Sequence, residues 1–110
     1  MAWDPLLADR VREVLAERRN LREKRMFGCL GFLCQGNFAV AVLDDGLIVR
    51  LGLEAQQEAL DEPGVTPFAP GGSPMRGWVL VSGEVMLTDG DLRDWVERGW
   101  RFASCLPAKG

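Results

Sequence analysis

Residues 37–51 read NFAVAVLDDGLIVRL, and this stretch decides the fold. Two apolar runs flank Asp44-Asp45-Gly46, whose Asp-Gly pair is typical of a tight hairpin between antiparallel strands. Upstream, Gln35-Gly36-Asn37 predicts a second turn, which follows another apolar run. We therefore expect three antiparallel strands, at residues 26–34, 37–43 and 46–51.

The middle strand is apolar on both sides, because side chains alternate between the two faces of a strand. The bulkier set is predicted to fill a core against the helices, and it comprises Phe38, Val40 and Val42. The opposite face is then predicted to form a protein interface, and the residues assigned to it are Ala39, Ala41, Leu43, Phe27 and Trp78. The alternative is that the last helix crosses this second face and buries it.

Capping signals locate the helices. Asp4-Pro5 is an N-cap followed by proline at the first helical position, which predicts a helix over residues 5–20. Thr88 is the N-cap of the last helix, which Pro107 ends, and Gly99 in its buried stripe indicates a close approach of two backbones. The remaining predicted elements are a short helix at 53–60, a Gly/Pro-rich loop at 61–77 and a strand at 76–81.

This order of elements predicts an α+β fold with two layers and a small antiparallel sheet: helix, three strands, helix, one or two strands, helix. The 110 residues fit a single domain, 1–110, without a second one. The longest apolar run has six residues, 38–43, which is too short to span a membrane. The first residues lack the basic and apolar segments of a signal peptide, so we expect a cytoplasmic protein.

Charge is unevenly distributed along the chain. Residues 10–25 hold seven basic and three acidic side chains, while the net charge of the whole chain is −3. An acidic total argues against a general nucleic-acid binder, and specific nucleic-acid binding is not expected of this chain alone. The basic residues are interpreted as a solvated helix end and a charged loop, with nucleic-acid contact as the minority alternative. Aromatic residues do not interleave with them in sequence, so no stacking platform is predicted there.

The composition also argues against catalysis and metal binding. Histidine and tyrosine are absent, and no catalytic motif joins the carboxylates, basic residues and three cysteines, so we do not expect an enzyme. Cys29 and Cys34 are five residues apart, which places them on opposite faces of a strand. A closed zinc site needs four ligands, so we expect no metal and no cofactor. Cys105 is predicted to lie on the outer face of the last helix.

Three arginines have two interpretations. Arg50 interrupts an apolar strand and Arg76 begins another. Either arginine could form an edge salt bridge, for which Glu84 and Asp61 are candidate partners. Alternatively, Arg50 and Arg76 join Arg25 in a site for an anion or for a carboxylate of a partner.

Three segments carry a resemblance to a known family. The first is Arg25-Met26-Phe27-Gly28 leading into Gly31-Phe32, and the second is Leu47-Ile48-Val49-Arg50-Leu51-Gly52. The third is Pro74-Met75-Arg76-Gly77-Trp78-Val79, followed by Leu92-Trp95-Val96 and by Ala103-Ser104-Cys105-Leu106-Pro107. In their order and spacing, the chain resembles the N-terminal domain of the TfoX/Sxy family over about residues 9–107. The resemblance implies a compact α+β domain, similar to the secretion-chaperone-like fold, with no known enzyme activity. The founding members are regulators of natural competence that act with other transcription factors, and longer members carry a second, helical domain.

Together these observations predict a non-enzymatic, regulatory domain that acts by protein–protein contact. Its partner would be another protein or a second copy of the chain, and no membrane is expected to be involved. The alternative is a small-molecule or anion-binding module that uses the three arginines.

Overall fold

The computed structural model describes residues 3–26 and 28–109, in which three helices pack against a six-stranded sheet. The helices are α1 (Pro5–Val14), α2 (Leu53–Ala59) and α3 (Asp89–Ser104). The strands are β1 (Leu21–Met26), β2 (Cys29–Cys34), β3 (Asn37–Leu43), β4 (Gly46–Arg50), β5 (Val65–Pro67) and β6 (Trp78–Val81). Every neighbouring pair is antiparallel, in the order β1-β2-β3-β4-β6-β5. The α+β class and the order of elements are confirmed.

Strand β1 replaces the charged loop that the sequence suggested. Helix α1 ends at Val14 rather than at residue 20, and Asn20 has a φ of 64° where the chain turns back. All six residues of β1 then pair with β2. The four central residues of β1 are charged and exposed on both faces, so the strand shows no apolar alternation. A charged edge strand also resists pairing with other chains, which accounts for this composition.

One face of the sheet, the helix face, holds the main core. Side chains of α1 and α3 pack there on Phe32, Val40 and Val49, each with 0% of its surface exposed. Gly99 of α3 lies directly on β3, since a Cβ at this position would be 2.7 Å from the carbonyl oxygen of Ala39. The predicted close approach of backbones at this glycine is therefore confirmed.

A bulge in β3 reverses part of the predicted pattern of faces. Phe32 of β2 pairs with Val40, but the next residue, Leu33, pairs with Phe38, so Ala39 is an extra residue in the ladder. Ala39 consequently lies with the main core, and Phe38 joins Ala41 on the other face. The prediction that Phe38 fills the helix core while Ala39 lies opposite is wrong, because an inserted residue shifts the alternation by one.

The other face, called the open face below, carries a second and smaller cluster. Its buried members are Cys29, Ala41 and Ile48. The half-buried side chains that cover them are Met26, Phe38, Leu43, Phe68, Trp78 and Leu80. In the described ranges no helix contributes to this cluster, so it is covered by side chains of the strands themselves and by Phe68, which directly follows β5. None of the three helices is both long and apolar enough to cross a membrane.

Candidate functional site

Strand register and a shared groove bring a row of side chains together across the open face. Arg22 of β1 lies opposite Leu33 of β2, which in turn lies opposite Phe38 of β3. Arg50 of β4 lies opposite Trp78 of β6. The row runs across five strands, with guanidinium groups on β1 and β4 and apolar side chains on β2, β3 and β6. These residues are up to 56 positions apart in sequence, so only the sheet brings them together.

A groove of about 690 Å³ follows this row. Its lining residues are Arg22, Glu23, Lys24, Met26, Leu33, Gly36, Asn37, Phe38, Arg50, Trp78 and Lys109. The floor is shaped by Gly31, where a Cβ would lie only 2.7 Å from Cε2 of Phe38. The missing side chain of Gly31 therefore leaves the space that the Phe38 ring occupies.

An aromatic and cationic cluster stands at one end of the groove. The ring centroids of Phe38 and Trp78 are 5.1 Å apart, and the rings are tilted by 57°. The Cζ atom of Arg50 lies 5.2 Å from the Trp78 centroid and 5.5 Å from that of Phe102 in α3. Each cation–π contact of this kind stabilises by about 0.5–1 kcal/mol at an exposed site. Arg50 is therefore held in place by two aromatic rings.

Gln56 of α2 positions the strand that bears Trp78. Its Nε2 donates to the carbonyl oxygen of Trp78 at 3.1 Å, and the N–H of Gly77 donates to its Oε1 at 3.0 Å. This buried glutamine was not among the residues singled out from the sequence. Its spacing of three and four residues to Ala59 and Leu60, which both pack on the main core, would have marked it as inward-facing.

The C-terminal segment forms the rim of the groove next to the β2–β3 turn. Nδ2 of Asn37 donates to the carbonyl oxygen of Pro107, and the N–H of Lys109 donates to that of Gln35, both at 2.8 Å. Gly36 in the turn has a φ of 82° and touches the carbonyl oxygen of Lys109 at a position where a side chain would collide. These contacts place Lys109 at the groove.

The groove carries a surplus of positive charge. Its cations are Arg22, Lys24, Arg50 and Lys109, and within residues 3–26 and 28–109 none of them forms an ion pair. The carboxylate among the lining residues is that of Glu23, which accepts two hydrogen bonds from Arg12 of α1 at 2.8 and 2.9 Å. These bonds lower the pKa of Glu23. The negative charge of Glu23 is thus compensated by the guanidinium of Arg12 in α1.

The three arginines singled out in the sequence do not all converge. Arg50 and Arg76 line a second recess of about 560 Å³ beside the groove, together with Phe102. Arg25 lies instead over the ring of Trp3, with its Cζ atom 5.7 Å from the centroid, and Trp3 packs against the main core. Arg25 therefore belongs to the helix face.

The alternative of edge salt bridges is not observed for these arginines. In the part of the chain that the structure describes, neither Arg50 nor Arg76 pairs with Glu84 or Asp61. Arg50 is held by aromatic rings instead, and Arg76 is exposed.

The residues of the predicted interface have different surroundings. Leu43 and Trp78 are half-buried on the open face, whereas Ala41 is fully buried in the cluster beneath it. Ala39 is enclosed by α3 on the helix face. Phe27 lies outside the described residues. The bulky side chains of the open face, rather than its alanines, therefore form the available surface.

Other basic residues of the 10–25 segment serve the fold. Arg10 donates to the carbonyl oxygen of Met86 at 3.0 Å and pairs with Asp89 at 3.5 Å. Arg18 pairs with Glu97 of α3. These contacts join α1 and the following turn to α3, which agrees with a structural role for this part of the basic segment.

The cysteines are distributed as the sequence predicted. Cys29 lies in the open-face cluster and Cys34 in the main core, and burial raises the pKa of both thiols. Cys105 is exposed at the end of α3. Among the described residues, no group of three or more Cys, Asp or Glu side chains is placed to hold a metal ion.

The fold and the groove define a small α+β domain whose antiparallel sheet has one face under helices and one face that is basic and aromatic. Residues 13–103 match the TfoX N-terminal domain, and the chain belongs to that family. The match confirms the resemblance drawn from the three sequence segments. No curated protein and no solved structure matches the chain significantly.

Proposed function

We propose that this chain is a non-catalytic, regulatory interaction domain that binds a protein partner across the open face of its sheet. The observation that carries the proposal is the groove, where half-buried Phe38 and Trp78 stand beside cations that form no ion pair in the described ranges. Aromatic residues and arginine are enriched among the side chains that dominate protein–protein binding energy. The regulatory role follows from the resemblance to the competence regulators.

The chemistry of the groove favours binding over catalysis. Its ionisable groups are four cations and Glu23, whose lowered pKa makes it a weak general base. No cysteine lines the groove among the described residues, and the raised pKa of the open-face thiol, Cys29, leaves little thiolate at neutral pH. The groove can thus hold a negatively charged or apolar ligand, but it offers no paired acid and base.

An affinity capture with a matched control tests this proposal. Immobilised wild type, Trp78→Ala and Leu87→Ala are incubated with extract of the native cell, and the captured proteins are quantified by mass spectrometry. Leu87 is 78% exposed and lies outside the groove, so its variant controls for a lost surface apolar group. We expect one partner to be retained by wild type and Leu87→Ala and lost from Trp78→Ala. Equal recovery on all three proteins, or no specific partner, would contradict the proposal.

A second candidate function rests on the recess that Arg50 and Arg76 share. Two guanidinium groups beside an apolar wall are suited to a small anionic ligand. Titration with inorganic phosphate, followed by chemical shifts, tests this function. Saturable shifts at both arginines that disappear in Arg76→Gln would support it, and unchanged shifts would exclude it.

A further inference from the structure

We infer that the partner presents an acidic, extended segment to the groove, with an aromatic or large apolar residue between two carboxylates. This inference rests on the proposed function and names the chemistry of the partner. Three observations carry it: the charge of the groove, the spacing of its row of side chains, and the surroundings of its aromatic rings.

Charge determines the sign of the ligand. Arg22 and Lys24 project from β1 into the groove, Arg50 enters from β4, and Lys109 stands on the rim. The remaining charged lining residue, Glu23, is engaged by Arg12. The chain as a whole is acidic, with a net charge of −3, so this groove is a local exception. Complementary charge steers association and rejects partners of the wrong sign, which favours an acidic ligand here.

Spacing determines the arrangement of the carboxylates. Adjacent strands lie about 4.8 Å apart, so the row from β1 to β6 spans roughly 19 Å. An extended chain advances about 3.3 Å per residue, and about six residues therefore cross this row. Arg22 and Arg50 are three strand spacings apart, roughly 14 Å, which corresponds to carboxylates about four residues apart. Between these arginines lie Leu33 and Phe38, which would contact the apolar residue of the segment.

The aromatic rings favour a peptide over a single-stranded nucleic acid. Binding of bases needs open ring faces on which they can stack. The guanidinium of Arg50 already lies over the Trp78 ring, and the Phe38 ring packs on Gly31 and against Trp78. The negative total charge also opposes a long polyanion. A short acidic peptide places its charges only where the cations stand.

The experiment uses a random dodecapeptide library displayed on phage and selected on the wild-type protein. Enriched sequences are synthesised, and their affinities are measured for wild type, Arg22→Glu, Arg19→Glu and Trp78→Ala. Arg19 is exposed and lies outside the groove, so Arg19→Glu is a control with the same change of charge. Circular dichroism verifies that each variant is folded. Arg22 is on the exposed edge strand, where a charge is already tolerated.

We expect enriched peptides to carry two acidic residues about four positions apart on either side of an aromatic or large apolar residue. Arg22→Glu should weaken binding about tenfold or more, because it puts like charges opposite each other, and Arg19→Glu should change it less than about twofold. When the two acidic residues of the peptide are replaced by Gln or Asn, Arg22→Glu and wild type should both bind it weakly and with similar affinities. These results would support the inference.

Other outcomes would overturn the inference, and they separate it from the proposed function. Peptides without acidic enrichment that still require Trp78 would leave the proposed function standing and refute the acidic partner. Peptides unaffected by both Trp78→Ala and Arg22→Glu would refute both, because binding would then lie outside the open face. Failure to enrich any peptide would also refute the inference. A twelve-nucleotide oligothymidylate that binds more tightly than the peptides would assign the groove to nucleic acid.

Discussion

The helix face and the open face of the sheet are built from the same strands, yet they bury their side chains to different extents. Phe32 on the helix face is 0% exposed, whereas Phe38 on the open face is half-buried and shares its surroundings with Arg50 and Trp78. The helix face is apolar and closed by α1 and α3, while the open face mixes guanidinium groups with aromatic rings. The buried apolar contacts thus lie mainly on the helix face, while the open face keeps half-buried side chains at its surface.

The strongest test of this contrast is the contact between α3 and β3. In Gly99→Leu, the new side chain would begin 2.6 Å from Cγ1 of Val40 and 2.7 Å from the Ala39 oxygen. We expect a loss of about 4 kcal/mol or more in the free energy of unfolding, measured by urea denaturation, because backbone must move to admit it. Gly90→Leu in the same helix meets nothing within 4 Å and should change stability by less than about 1 kcal/mol. Similar losses in both variants would show that α3 does not press on the sheet.

A phenylalanine on each face compares the two clusters directly. Phe32→Ala should lower the free energy of unfolding by about 3–5 kcal/mol, because it leaves a cavity in the closed core. Phe38→Ala should cost about 1–2 kcal/mol, since part of its surface is already exposed to water. Guanidinium denaturation of both variants measures the difference. Equal losses would mean that the open face is as much a core as the helix face.

Gln56 tests how firmly the groove is attached to the helices. In Gln56→Ala, the N–H of Gly77 loses its acceptor, and the carbonyl of Trp78 keeps only the longer bond from the N–H of Phe68 at 3.5 Å, which should cost about 1–3 kcal/mol. Gln57→Ala, in the same helix, changes an exposed residue and should alter stability by less than about 0.5 kcal/mol. Thermal denaturation of the two variants provides the comparison. If Gln57→Ala were the more harmful change, the assigned role of Gln56 would be incorrect.

The smallest effect concerns the link between α1 and the edge strand. In the folded state, hydrogen bonds from Arg12 lower the pKa of Glu23 below its ordinary value of 4.5. The pair therefore stabilises the fold above pH 4.5. This contribution is lost as the pH falls below 4.5 and Glu23 becomes protonated. Because both groups are well exposed, its size should be below about 1 kcal/mol.

Glu23→Gln should therefore reduce stability at pH 7 and flatten the decline of stability below pH 4.5. The exposed Glu17→Gln serves as the control, because its carboxylate forms no ion pair in the described ranges. Urea denaturation at a series of pH values measures both variants. An unchanged pH profile for Glu23→Gln would rule out the link.

The fold was largely predictable because its signals are local. The Asp45-Gly46 pair predicted the β3–β4 hairpin, and the N-caps at Asp4 and Thr88 predicted the starts of two helices. Strand β1 was not predicted, because charged residues on both of its faces leave no alternation of apolar and polar side chains. Among the site residues, Arg50 and Trp78 were identified as notable, but their contact depends on pairing between β4 and β6.

The sequence by itself determined the α+β class, the hairpin, the opposite placement of Cys29 and Cys34, and the close contact at Gly99, because periodicity and turn chemistry act between near neighbours. Only the tertiary structure decided which face Phe38 occupies, since the extra residue Ala39 in the β2–β3 ladder shifts the alternation by one. It also decided the groove, which unites side chains from β1 to β6. Register between strands distant in sequence is set by the packing of the whole sheet, and a local pattern does not encode it.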